Sequence, residues 1–168
     1  LVVRVSVPRD RDAVGLRSLS MLLVEDHPVN RRLLVALLER VGHRVTAVDS
    51  GRGALDAFAP GRFDVVLMDV GLPGMDGVDV TLAIRAREPA GSHVPVIALT
   101  GQSTTGEHAR FATAGIDGVV SKPVRVEELD AELARVLGDT EPVAEARVLD
   151  VAVLRARVAD DEGLLQEL

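Results

Sequence analysis

The chain has 168 residues, 47% of them hydrophobic, with a formal net charge of −7 and no cysteine. That length suits one domain plus extensions, and the acidic balance argues against nucleic acid, whose binders carry basic patches. The missing cysteines exclude a disulfide framework and thiolate chemistry, and with aromatics at 2% the core must be Val, Leu, Ala and Ile.

The opening, LVVRVSVPRDRD, has no long apolar stretch of the kind a signal peptide needs. No apolar run approaches the roughly 18 residues of a membrane span. A chain that opens on Leu1 reads as a piece of something longer. MLLVED (Met21–Asp26) is an apolar strand ending in two acids. VNRRLLVALLERVG has Leu33, Leu34, Leu37, Leu38 and Val41 at helical spacing, with Gly42 as a stop. HRVTAVDS is a short strand, and Ser50 caps the next helix, GRGALDAFA. FDVVLMD is a continuous apolar strand ending at Asp69, followed by a loop bearing Gly71, Pro73, Gly74 and Gly77. VDVTLAIRARE is helical, VPVIALT is a buried strand ending at Thr100, and TTGEHARFATAG is a weaker helix stopped by Gly115. DGVVSKP is a strand running into Lys122 and Pro123, and RVEELDAELARVLG is an amphipathic helix.

Five near-continuous apolar strands alternating with helices predict a doubly wound α/β domain, its parallel sheet covered on both faces. Ligands of such sheets bind beyond the carboxyl ends of the strands. Those ends carry Glu25, Asp26, Asp69, Thr100 and Lys122. Three carboxylates in one cleft repel one another. An oxygen-rich, partly open shell suits Mg²⁺, and no His or Cys stands at matching positions for zinc. Taken singly, each acid could equally be a helix or turn cap. Taken together, they point to phosphoryl transfer, with Asp69 as a nucleophile able to form an acyl phosphate, Lys122 as a second cation and Thr100 as a hydroxyl donor. The four histidines, His27, His43, His93 and His108, read as bystanders, each in a loop, at a helix start or on an exposed face, with His27 bordering the cleft. Arg31 and Arg32 read as solvated surface.

The stretches LLVEDHPVNRRLL, VVLMDVGLPGMDG, VIALTG and GVVSKP, in order over about Met21–Leu137, resemble the receiver domain of two-component response regulators. Their style is closest to receivers fused to hybrid histidine kinases. The resemblance implies a flavodoxin-like fold, a doubly wound five-stranded parallel sheet of order 2-1-3-4-5 with helices on both faces. It implies Asp69 as phospho-acceptor, with Glu25, Asp26, Asp69 and the Gly71 carbonyl around Mg²⁺. Thr100 matches the switch hydroxyl, and Lys122 the phosphate-binding lysine before a cis Pro123. Gly71 and Gln102 fall where the family tunes phosphoryl lifetime. Where the family carries an aromatic switch residue, this chain has Val119, so a subtler activation change is expected.

The expected organisation is an N-terminal extension over 1–19 resembling the tail of a kinase ATP-binding domain, a receiver over 20–138, and an acidic linker over 139–147. A helical segment over 148–168 resembles the start of a histidine phosphotransfer domain, with a packed amphipathic helix as the alternative. The implied partners are a histidine kinase or phosphotransfer domain, without nucleic acid or membrane contact by this segment, and dimerisation stays open. The implied location is cytoplasmic, in a parent chain that is a histidine kinase and can itself be membrane-attached. Two rivals remain: a stand-alone regulator acting through protein contacts, and an aspartyl-phosphate phosphatase or phosphotransferase. The phosphatase class places a second acid two residues after its nucleophile, where this chain has Gly71. A transcription factor would need a basic helix-turn-helix, and none follows Leu137.

Overall fold

The computed structural model describes residues 18–101 and 105–138. The expected kinase-like strand at the N-terminus, Gln102, the acidic linker and the phosphotransfer-like segment lie outside the described residues. Elements follow in strict alternation: β1 (Ser20–Val24), α1 (Pro28–Arg40), β2 (Arg44–Val48), α2 (Gly51–Ala57), β3 (Val65–Asp69), α3 (Gly77–Arg85), β4 (Val96–Thr100), α4 (Thr105–Ala114), β5 (Gly118–Ser121) and α5 (Val126–Leu137). All five strands are parallel in the order β2-β1-β3-β4-β5. This is the predicted fold.

Burial explains why the strands read as they do. The three central strands are covered on both faces, so β3 and β4 are buried at every position and show no polar alternation. The edge strand β2 is only half covered, and exposed positions recur along it. Side chains alternate between the two faces of the sheet. Met21, Leu23, Leu67 and Leu99 pack with Leu34 and Leu38 of α1 and Leu129 and Leu133 of α5. Leu22, Val24, Met68 and Ala98 pack with helices α2 to α4, around Val80, Ile84 and Phe111. Leu19, at the end of the expected extension, is buried in the first of these layers.

Local signals set the helix boundaries. Ser50 accepts from Gly53 N at 3.2 Å and caps α2, and Asp76 accepts from Val78 N at 2.9 Å and caps α3. Pro28 opens α1, where its missing N–H costs nothing. Gly77 is required by a close approach: a Cβ there would stand 2.3 Å from the Asp69 carbonyl oxygen. The start of α3 thereby presses against the end of β3 and closes the loop that carries Gly71.

One arginine expectation needs correction, and one histidine is more enclosed than its place in a connection suggests. His43 lies in a connection and is buried there, and its Nδ1 accepts from Leu19 N at 3.3 Å. Burial lowers its pKa. The arginine is Arg31, which is not solvated surface. Its guanidinium turns back over the β1–α1 connection, whereas Arg32 is exposed.

Candidate functional site

A parallel sheet brings the carboxyl ends of all its strands to one edge, and the side chains there meet across large sequence separations. Glu25 follows β1, Asp69 ends β3, Thr100 ends β4, and Lys122 follows β5. Lys122 Nζ lies 2.6 Å from Asp69 Oδ2 and 2.8 Å from Glu25 Oε2. The carboxylates of Glu25, Asp26 and Asp69 each offer an oxygen within 4.8 Å of the others. Glu25 and Asp69 are 1% and 4% exposed, while Asp26 is half-buried at the rim.

Each side chain is held. Asp69 Oδ1 accepts from Gly71 N at 2.9 Å, so the turn that follows β3 orients its own acceptor. It is the amide of Gly71 that engages Asp69. Glu25 Oε1 accepts at longer range from His27 N (3.3 Å) and Asn30 Nδ2 (3.4 Å). Lys122 N donates to the Thr100 carbonyl at 2.7 Å, which ties the lysine to the end of β4. The Lys122–Pro123 peptide is cis. Thr100 is buried beside this pair. Val119 is half-buried on the edge strand β5 and packs on the α4 side of the sheet, and its amide donates to Glu132 Oε1 at 2.9 Å.

Burial by itself would lower the Lys122 pKa, but the hydrogen bond to Asp69 and the charges of Asp69 and Glu25 outweigh it and hold the ammonium above its ordinary range. The lysine is therefore charged at any physiological pH. Three carboxylates cluster around one ammonium that pairs with two of them, leaving an excess of negative charge that a divalent cation would cancel. Glu25 Oε2 sits near the lysine but outside hydrogen-bond geometry, a buried carboxylate oxygen with capacity to spare. The donors are all hard oxygens, and Asp26 is open to solvent on one side. The residues present fit Mg²⁺, which keeps several waters and accepts one or two carboxylates.

The structure thus gathers Glu25, Asp26, Asp69 and Lys122, with Thr100 and Gly71 adjoining, and keeps Val119 at a distance along β5. Arg31 and Asn30 support this cluster and were not legible as site residues. The one hint was their place in the first turn of α1, directly behind the acidic pair.

Among the described residues no helix is long and apolar enough to cross a membrane. A family model described as the response regulator receiver domain matches residues 21–134. The aerobic respiration control sensor protein ArcB of Escherichia coli is 35% identical over 139 residues, which is 83% of this chain and 18% of that protein. The sensor histidine kinase GacS of Pseudomonas protegens is 38% identical over 120 residues, 70% of this chain and 13% of that protein. The chain thus spans less than a fifth of the length of these relatives. The receiver domain of the sensor histidine kinase PA1611 from Pseudomonas aeruginosa, crystallised with a magnesium ion in its active-site cleft, superposes with a TM-score of 0.64 at 38% identity, covering 73% of this chain and 99% of that one. Chemotaxis protein CheY4 of Vibrio cholerae gives a TM-score of 0.66 at 28% identity, over 71% of this chain and 99% of that one. With a match over most of its length and a sheet of the same order, this chain belongs to the response regulator receiver domain family.

Proposed function

We propose that this chain is the receiver segment of a hybrid sensor histidine kinase, and that Asp69 takes a phosphoryl group from a phosphohistidine in a Mg²⁺-dependent phosphorelay. The observation that carries the reading is the Asp69 carboxylate itself. It is 4% exposed at the tip of the central strand, 2.6 Å from an ammonium and grouped with two further acids. A carboxylate kept for structure alone would be satisfied by the lysine, and the remaining acids would have no reason to crowd it.

In this reading a carboxylate oxygen of Asp69 attacks phosphorus. A P–O bond forms while the P–N bond to the donor imidazole breaks, and the imidazole leaves with that electron pair. Mg²⁺ held by Glu25, Asp26 and Asp69 would neutralise charge on the phosphoryl oxygens. Lys122 exchanges its carboxylate partners for a phosphoryl oxygen, and the Thr100 hydroxyl donates to another. Drawing Thr100 inward biases a two-state equilibrium at the surface formed by α4 and β5. Gly71 and Gln102 are read as the residues that set the lifetime of the phosphoryl group against attack by water. Val119 responds by a small adjustment.

A protein donor is favoured by the rim. Val29 and Leu33 on α1 are 56% and 57% exposed, and Val29 lies in the first turn of α1, close behind Asp26 in the chain. Apolar groups beside a charged cleft suit contact with another folded surface. The donor is a histidine kinase or phosphotransfer domain. The segments 1–19 and 148–168 are read as the tail of the kinase core and the start of a phosphotransfer domain, joined through the 139–147 linker. The segment works in the cytoplasm, whether or not the parent chain is membrane-attached.

Incubation with acetyl phosphate and Mg²⁺, followed by intact-mass measurement, tests the assignment. The chain should gain one phosphoryl group, and Asp69→Asn should gain none. Labelling of Asp69→Asn at an unchanged rate would refute it.

A further inference from the structure

Between the last residue of β1 and the first of α1 lie only Glu25, Asp26 and His27. Two of these must turn their side chains toward the same cleft. Where a side chain points is set by the peptide planes on either side of it, so the two carbonyl groups of the acidic pair decide where the carboxylates go. Pro28 has no N–H with which to hold them. Arg31 does so instead. Its Nη1 donates to the Glu25 carbonyl at 2.9 Å and to the Asp26 carbonyl at 3.0 Å. The same connection is pinned from the other side, where Glu25 N donates to Val48 O at 3.1 Å, and Arg31 N returns to His27 O at 3.0 Å.

We propose that Arg31 is a positioning residue for the metal-binding acids, setting the affinity for Mg²⁺ through the backbone of Glu25 and Asp26 without touching metal or phosphoryl group. The proposal rests on the Mg²⁺-dependent reading above. One nitrogen bridging two successive carbonyls fixes their mutual orientation, which two separate donors would not. The bonds are charge-assisted and half-buried, so they resist competition from water. Outer groups of this kind govern the affinity of metal sites without being ligands.

Charge and geometry give opposite signs here. A guanidinium close to a cation site repels the cation, so an effect of charge alone makes Mg²⁺ bind more tightly once Arg31 is gone. Positioning makes it bind more weakly.

Calorimetric titration with MgCl₂ on the full chain decides between them, paired with acetyl phosphate labelling rates across Mg²⁺ concentrations. Arg31→Ala and Arg31→Gln are expected to weaken Mg²⁺ binding about tenfold or more. The labelling rate should return toward the wild-type maximum at saturating Mg²⁺, so that the defect appears in the half-saturating concentration. Arg32→Ala, altering the exposed neighbour, should match wild type. Folded Arg31 variants that bind Mg²⁺ as tightly as wild type, or more tightly, overturn the proposal. Loss of the folded circular-dichroism spectrum in both also overturns it, since the residue would then hold the fold and not the site. A wild-type chain that neither binds Mg²⁺ nor takes label would sink the proposed function itself, a separate outcome.

Discussion

Lys122 Nζ stands 2.6 Å from Asp69 Oδ2, although 53 positions of chain separate them. The same ammonium is 2.8 Å from Glu25 Oε2. It is the positive charge that makes a crowded acidic pocket affordable in the folded state. Removing one partner of a buried ion pair leaves an uncompensated charge.

Lys122→Met should therefore act in two ways. Labelling of Asp69 by acetyl phosphate should slow by about 10²-fold, the usual scale for losing one preorganised charge partner of a developing anion. The rise in melting temperature on adding Mg²⁺ should exceed that of wild type, because the cation then relieves two unpaired carboxylates. A smaller Mg²⁺ response in Lys122→Met would contradict the charge argument. In the wild type, the raised lysine pKa adds stability that is complete below its unfolded-state value. That stability is lost only as alkaline pH climbs through the folded-state value.

Two glycines close behind β3, Gly71 in the connection and Gly77 at the start of α3, should behave differently. Gly77→Ala places a methyl group 2.3 Å from the backbone oxygen of Asp69, a neighbour that cannot swing aside. A loss of about 1–3 kcal/mol or more is expected by urea denaturation, the range for overpacked sites. Gly71→Ala meets only the Asp69 carboxylate, at 3.6 Å, which is ordinary contact. Its stability should stay within about 0.5 kcal/mol of wild type, while the lifetime of the phosphorylated form changes. Equal stability losses at both positions would remove the steric explanation.

His43 should make the fold acid-sensitive. Its Nδ1 accepts from Leu19 N, which requires the neutral ring with its proton on Nε2. Burial depresses its pKa, so the unfolded chain takes up the proton first. The associated stability is present above about pH 6.5, the ordinary histidine value. It is lost as pH falls through the lower folded-state value. Melting temperatures measured from pH 7.5 down to 5 should decline less steeply in His43→Gln than in wild type, since an amide oxygen can accept at any of these pH values. Parallel slopes would show that other groups govern the decline.

Val119 should move little on activation. It is half-buried against the layer that includes Phe111, and its amide is held by Glu132, which is held in turn by Arg135. Hydrogen bonds to Arg135 and to the Val119 amide keep the Glu132 carboxyl ionised below its usual range, although burial opposes them. Crystal structures with and without a beryllofluoride phosphate mimic should show the Thr100 loop shifted and Val119 in an unchanged rotamer. A large rearrangement around Val119 would count against this reading.

The sheet was legible because its strands are short apolar runs ended by polar residues. LLV, VVLMD and VIALT have no polar face, which, with helices alternating between them, suits a parallel sheet covered on both sides. Ser50 and the glycine stops marked the helix ends equally well. Arg31 was misread as solvated surface, and the burial of His43 was not legible, for a common reason. Polarity in a sequence suggests exposure, yet Arg31 is drawn inward by two backbone carbonyls and His43 is met by one backbone amide that folding brings into reach.

From the sequence alone came the element order, the parallel sheet and the set of polar residues gathered at its carboxyl edge, because periodicity and strand-end chemistry are local. Only the tertiary structure decided which of those groups bond to one another: Lys122 to both Asp69 and Glu25, Arg31 to the carbonyls of the acidic pair, and Glu132 to the amide of Val119. Hydrogen bonds and ion pairs act over about 3 Å, and a chain folded back on itself sets such distances between residues whose spacing in sequence says nothing about them.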